Sequence, residues 1–254
     1  MIGDSSMTLH DFFKQHNKAA LAFSGGVDSA YLLYAAVQAG CDVHAYYVKS
    51  AFQPEFEFED AKKIAKDLDA KMTVLEVDIL SDSIITENPS NRCYHCKKKI
   101  FHTILEAAKK DGYELLIDGN NASDDADDRP GMKAVLELNV RSPLRECGIT
   151  KAEVRKLSKS AELFTWDKPA YACLATRIPT GEIITAEKLT ATENAESTLA
   201  DLGFTDFRIR MVGKNAKIQV REEQLNKLLL HRTEILEKLK TYYASVTLDL
   251  EVRS

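Results

Sequence analysis

Hydrophobic and polar positions along the first half of the chain change period at regular intervals. Short apolar runs at Ala19–Phe23, Val43–Val48, Met72–Val77 and Glu114–Ile117 read as strands. Between and after them, Ser29–Ala39, Phe56–Leu68, Tyr94–Lys110 and Lys151–Ser160 read as helices. In the second of these, Ala61, Ile64, Ala65 and Leu68 recur at helical spacing, with Lys62, Lys63, Lys66 and Asp67 on the other side. Thr150 and Glu153 form a capping box ahead of the fourth, a structural signal to which no chemistry is assigned. The alternation predicts an α/β fold, a parallel sheet with helices on both faces. Ligands of such sheets bind at the carboxyl ends of the strands.

The pattern changes after a polar, proline-bearing stretch, Asp167–Thr185. Ala186–Leu202 reads as a helix and Phe207–Val212 with Ala216–Val220 as a hairpin turned near Gly213-Lys214-Asn215. Glu222–Leu239 reads as one helix and Ser245–Val252 as a strand. The spacing therefore predicts two domains, a parallel-sheet domain over 1–180 and a smaller α+β domain over 181–254.

Composition narrows the class. A chain of 254 residues can bury one large core and a smaller one. The net charge of −5 supplies no global attraction to nucleic acid and counts against it as a partner. No apolar run is long enough to span a membrane, and the polar, acid-bearing Met1–Asp11 does not resemble a secretory signal. A cytoplasmic setting is expected. The five cysteines there are expected to be reactive, metal-bound or buried rather than disulfide-bonded.

The run Ser24-Gly25-Gly26-Val27-Asp28-Ser29 sits between the first strand and the first helix. Glycines let the backbone turn tightly beside a ligand, and the helix aims its free N–H groups and positive dipole end at the loop. A pyrophosphate fits that setting. Ser24 and Ser29 add hydroxyl donors, and Asp28 can hold Mg²⁺ against the phosphates. The spacing is neither a Walker loop nor a GxGxxG turn. It resembles the SGGxDS signature of the PP-loop (adenine nucleotide alpha hydrolase-like) ATP pyrophosphatases.

Asp118-Gly119-Asn120 ends the fourth strand and delivers polar groups to the same rim. Asn120 and Asp124 are candidate nucleotide contacts. Asp124, Asp125 and Asp128 are each open to a Mg²⁺ role or to capping a turn, and Arg129 is a candidate partner for the acids or a phosphate. Cys93 and Cys96 form a C-x-x-C that alone fits zinc, a redox pair or an iron–sulfur pair. Cys173, in a loop flanked by Pro169 and Pro179 and near Lys168 and Arg177, is a candidate thiolate. Cys41 and Cys147 read as structural.

Several motifs together resemble the LarE family of ATP-dependent sulfur transferases. They are Ser24–Ser29, Arg92-Cys93-Tyr94-x-Cys96-Lys97, Asp118-Gly119-Asn120, Asp128-Arg129-Pro130-Gly131 and Ser142-Pro143-Leu144. Trp166-Asp167-Lys168-Pro169 through Cys173 and Arg177-Ile178-Pro179 complete the set, and the likeness spans about Lys18 to Arg210. It implies thiolation of a pyridinium dicarboxylate mononucleotide in nickel-pincer nucleotide biosynthesis. A carboxylate is adenylated by ATP and Mg²⁺, and a sulfur then attacks the acyl adenylate. The family holds two sulfur strategies: a sacrificial cysteine corresponding to Cys173, or a [4Fe–4S] cluster on three cysteines that carries an exchangeable sulfur. Cys93, Cys96 and Cys173 match the three-cysteine pattern, with sulfide or another sulfur donor implied.

By the same resemblance the C-terminal unit binds the substrate mononucleotide, and the chain forms a homo-oligomer. Arg208 and Arg210 share one face of a strand and suit a phosphate, with Tyr94 completing the pocket and Glu196 near the sulfur site. The competing readings are a tRNA-thiolating PP-loop enzyme, an amide-forming ligase and a module that binds ATP without turnover. The acidic balance argues against the first. The cysteine trio and the lack of a glutaminase domain argue against the second, and pyrophosphate release separates the third.

Overall fold

The computed structural model describes residues 7–124 and 130–253. Four parallel strands, β1 (Lys18–Ala22), β2 (Asp42–Lys49), β3 (Lys71–Glu76) and β4 (Leu116–Asp118), form a sheet in the order β3-β2-β1-β4. The chain lays β2 and β3 on one side of β1 and then crosses to place β4 on the other. The carboxyl end of β1 is thus the point at which the connections diverge, where open α/β sheets bind ligands.

The helices are α1 (Leu9–Gln15), α2 (Val27–Gln38), α3 (Glu55–Asp67), α4 (Ser83–Thr86), α5 (Arg92–Lys110), α6 (Pro130–Glu137), α7 (Pro143–Glu146), α8 (Lys151–Ser160), α9 (Ala186–Asp201), α10 (Leu225–Leu230) and α11 (Arg232–Leu239). Alternate strand residues serve opposite faces of the sheet. Ala19, Leu21, Val43, Ala45 and Tyr47 join Phe12, Leu33, Ile64, Leu144 and Val154 of α1, α2, α3, α7 and α8 in one core. Ala20, Tyr46 and Val48 join Phe101, Ile104, Met132 and Val135 of α5 and α6 in another. Period-2 burial on both faces is the signature of a parallel sheet covered twice, as the sequence predicts.

The chain divides into two compact units. The first comprises 1–50, 55–77 and 91–168, and the second 51–54, 78–90 and 169–254. The second carries α4, α9, α10, α11 and a mixed sheet, β5 (Arg208–Val212), β6 (Asn215–Gln219) and β7 (Val246–Leu248). β5 and β6 are the expected hairpin, and β7 runs parallel to β6.

Two expected elements are modified. The helix over Glu222–Leu239 is a 3₁₀ turn, Glu222–Gln224, followed by α10 and α11 on either side of His231. The strand over Ser245–Val252 is regular only through Val246–Leu248; beyond it the chain bulges, with the Glu251 N–H on Asp249 Oδ1 at 3.2 Å, and pairs once more where the Arg253 N–H donates to the Val220 carbonyl at 3.0 Å. Among the described residues no helix is long and apolar enough to cross a membrane.

Candidate active site

At the end of β1 the Phe23 N–H still bonds to the sheet, reaching the Tyr46 carbonyl at 3.0 Å. The chain then turns through Ser24 and Gly25 to Gly26, the N-cap of α2. Gly25 has φ +74°, and a Cβ there would lie 3.0 Å from Ala61 Cβ and 3.2 Å from the Glu57 carbonyl oxygen. The loop is pressed against α3, so only glycine fits. Ser29, 3% exposed, holds the loop in shape. Its Oγ accepts from the Ser24 N–H at 3.3 Å, donates to the Gly26 carbonyl at 3.2 Å and lies 3.1 Å from Ser24 Oγ. Gly26 provides no side-chain cap, so the first-turn amides of α2 remain available to the oxygens of an anion.

The end of β4 abuts this turn. A Cβ on Gly119 would sit 2.9 Å from Ser29 N, so glycine is again required by close approach. Asp118 is buried and accepts from Ser142 Oγ at 2.7 Å, from the Asn120 N–H at 3.1 Å and from the Asn120 side-chain amide. Burial pushes its carboxyl above the usual range, and the Ser142 bond and the Lys97 charge oppose that push. Ser142 reaches it because Arg141 pairs with the edge of β4: the Asp118 N–H donates to the Arg141 carbonyl at 2.9 Å.

Asp28, in the first turn of α2, is held from two directions. Lys151 Nζ lies 2.5 Å from its Oδ2, and Asn121 Nδ2 donates to its Oδ1 at 3.3 Å. Lys151 opens α8, where Thr150 and Glu153 form the expected capping box, and its N–H donates to Ser123 Oγ at 3.0 Å. The sequence gives Lys151 no chemical role, because 123 positions separate it from Asp28. Asp124 Oδ2 accepts from the Asn121 N–H at 3.0 Å and so closes its own turn. Asp125, Asp128 and Arg129 lie outside the described residues.

Cys93 and Cys96 occupy the start of α5, three residues apart and therefore on one side of the helix. Cys93 is exposed and Cys96 half-buried. Arg92 Nη2 donates to Cys93 Sγ at 3.8 Å. The Tyr94 hydroxyl donates to Glu137 Oε2 at 2.7 Å and accepts from Lys98 Nζ at 3.3 Å, which ties α5 to α6. Cys41 and Cys147 pack against the core of α1, α2 and α3, and burial pushes both thiols up, Cys41 to about 11. Among the described residues, no three or more His, Cys, Asp and Glu side chains gather into a group that could hold a metal ion.

Cys173 belongs to the second unit, as do Arg208, Arg210 and Glu196, whereas Tyr94 belongs to the first. The Cys173 segment is fixed by a buried charge cluster. Glu196 of α9 accepts from Arg177 Nε at 2.7 Å, from the Tyr171 hydroxyl at 2.6 Å and from the Ile209 N–H at 3.0 Å. Arg177 also donates to the Ala172 carbonyl at 3.1 Å, and Arg208 Nη2 donates to the Ala170 carbonyl at 2.5 Å. The Leu174 N–H reaches the Phe52 carbonyl at 2.9 Å. The backbone is therefore gripped on both sides of the cysteine. Burial, then the charges of Arg177 and Arg253, brings Arg208 down to about 10. Arg210 is exposed and donates to the Thr176 carbonyl at 3.5 Å. Arg177 and Tyr171 gain their roles only through the fold. Their signal in the sequence was proximity to Cys173.

Within the first unit, Arg155 of α8 donates to the carbonyls of Trp166 and Lys168 at 2.7 and 2.8 Å. Lys168 then reaches Glu57 and Asp60 of α3 at 2.9 and 2.6 Å. The Trp166–Lys168 motif thereby anchors to the helix on which the Gly25 turn rests.

Residues 18–99 match the family described as queuosine biosynthesis protein QueC. The chain is 36% identical over 256 residues to an uncharacterized protein of Synechocystis, covering 99% of this chain and 95% of that one. It is 32% identical over 246 residues to the pyridinium-3,5-bisthiocarboxylic acid mononucleotide synthase of Lactiplantibacillus plantarum, covering 96% and 89%. A tRNA-specific 2-thiouridylase of Clostridium botulinum is 26% identical over 181 residues, covering 59% and 51%.

Proposed function

The chain belongs to the LarE family of PP-loop, ATP-dependent sulfur transferases, and from that premise we propose that its substrate is a pyridinium-3,5-dicarboxylate mononucleotide. A substrate carboxylate oxygen attacks the α-phosphorus of ATP, and pyrophosphate leaves. A sulfur nucleophile then attacks the acyl adenylate, and AMP leaves behind a thiocarboxylate. A carboxylate is a poor electrophile, and adenylation supplies the leaving group it lacks. The reading is supported above all by the turn Ser24–Ser29, which sets a glycine loop and open helix amides at the carboxyl end of the central strand.

In this reading the amides and hydroxyls of Ser24, Gly25, Gly26 and Ser29 hold the pyrophosphate portion of ATP, with Asn120 and Asp124 at the same rim. Asp28 would hold Mg²⁺, which would supply positive charge to offset that of the phosphates. A carboxylate oxygen at the loop is the hard donor that ion takes. Arg208 and Arg210 bind the substrate phosphate, with Tyr94 and Glu196 as supporting groups. The second unit is the substrate-binding domain, and the protein works in the cytoplasm as a homo-oligomer.

For the sulfur step, Cys93, Cys96 and Cys173 would hold a [4Fe–4S] cluster. The paired thiols at the start of α5 are suitable donors for two of its irons. The cluster, when bound, would offer an iron without a protein ligand at which hydrosulfide can exchange. The alternative is that Cys173 surrenders its own sulfur. Thiolation of tRNA has less behind it, since the relative of that kind matches 59% of the chain and the net charge is −5.

The test is anaerobic turnover with ATP, Mg²⁺, sulfide and the dicarboxylate nucleotide, following pyrophosphate and the mass of the nucleotide. Replacement of a carboxylate oxygen by sulfur is expected, and Cys173→Ser is expected to lose it while still releasing pyrophosphate. Pyrophosphate release that does not depend on the nucleotide, with no thiolated product, would overturn the substrate assignment. Full turnover by Cys173→Ser would overturn both sulfur routes.

A further inference from the structure

We propose that Lys151 is a mobile cation of the ATP site, which occupies Asp28 while the site is empty and passes to the phosphates when Mg²⁺ takes its place. The inference rests on the PP-loop reading of the loop, not on the identity of the thiolated substrate. Asp28 presents a carboxylate at a turn whose other groups are donors, the N–H groups of α2 and the hydroxyls of Ser24 and Ser29. An uncompensated carboxylate there would repel the anion the turn is built to receive. Lys151 Nζ, 2.5 Å away, removes that charge in the free protein.

The pair is also placed to come apart. The Lys151 side chain is 35% exposed and that of Asp28 21%, so neither ion carries the cost of full burial when they separate. The backbone of Lys151 is fixed independently of its ammonium, by the Thr150 cap of α8 and by the N–H bond to Ser123 Oγ. Asn121, 2% exposed, keeps Asp28 oriented through the other carboxylate oxygen. Releasing the ion pair therefore frees a flexible four-carbon arm without moving either helix. An ammonium has three donors on a rotatable stem and can pass from a carboxylate to a phosphate oxygen with little penalty. Mg²⁺ favours one or two carboxylates together with substrate phosphates, so with Mg²⁺ and ATP bound Lys151 would leave Asp28 where a new anion becomes available to it.

The handover predicts effects of opposite sign on two ligands. Calorimetric titration of the whole protein with Mg²⁺ alone, and with the Mg²⁺ complex of α,β-methylene-ATP, would be compared between wild type and Lys151→Gln. The variant is expected to bind the nucleotide complex at least about tenfold more weakly, as expected for a lost charge-assisted bond. It is expected to bind Mg²⁺ alone more tightly, because no ammonium competes for Asp28. Lys151→Arg keeps the cation and is expected to stay close to wild type for both. Unchanged affinity for the nucleotide complex, or a change of both ligands in the same direction, would overturn the handover. Should Lys151→Gln fail to fold, Lys151→Met is measured in its place with the same expectations. No dicarboxylate nucleotide is present in these titrations, so a wrong substrate assignment would leave their outcome intact.

Discussion

Glu196 shows how much a single side chain can organise. Its two oxygens accept from Arg177, Tyr171 and the backbone of Ile209, and Arg177 and Arg208 in turn hold the carbonyls of Ala172 and Ala170. Removing the carboxylate by Glu196→Ala would strand an arginine whose side chain is 1% exposed. Breaking one partner of a buried pair costs about 3–5 kcal/mol, so a loss of that order is expected in denaturant unfolding, with a smaller loss for Glu196→Gln. An unchanged midpoint for Glu196→Ala would show that the cluster does not stabilise the fold. At this scale legibility depends on distance along the chain. Ser24, Gly25 and Ser29 act on each other within a few positions, so their chemistry was visible in six letters. Lys151 carries no such local signal, since its partner Asp28 lies 123 positions away.

Elements were legible where burial follows one period and less so where tertiary contacts intervene. The four strands of the first unit alternate between two cores, and the helices between them are amphipathic, so pattern and packing agree. The Glu222–Leu239 segment contains no glycine or proline, yet it breaks at His231. There the His231 ring meets Phe204 edge-on, while Lys227 lies over that same ring and donates to the Gly203 carbonyl at 2.7 Å. The break thus coincides with contacts to the turn after α9, which no local pattern contains. The start of α5 carries the prediction that belongs to this scale. Its first turns present Cys93 and Cys96 on one side, and protein purified without oxygen is expected to contain about four iron and four sulfide per chain. Metal analysis of Cys93→Ser should find that content lost. An iron content equal to wild type would remove this helix from the cluster and leave the pair a redox or structural role.

For the whole molecule, the sequence showed two kinds of architecture but not how the chain is shared between them. The second unit is sewn from three pieces, 51–54, 78–90 and 169–254, and the two short ones interrupt the first unit. Asn88, fully buried in one of those inserts, donates to the carbonyls of Ile178 and Pro179 at 3.3 and 2.8 Å, and the Gly181 N–H returns to the Asn88 carbonyl at 2.8 Å. A fragment of residues 169–254 would lack these partners and is expected to give poorly dispersed amide signals in NMR. A well-dispersed spectrum would show that the inserts are dispensable. The same stitching has a consequence for the order of events during synthesis. The inserts leave the ribosome long before residues 169–254 exist, so at each passage the nascent chain carries two unfinished seams. The second unit can close only after about two-thirds of the polypeptide has emerged, at roughly 5–20 residues per second. Until then Asn88 has no buried place to occupy, and a stalled or truncated chain would present that open seam to proteases and chaperones.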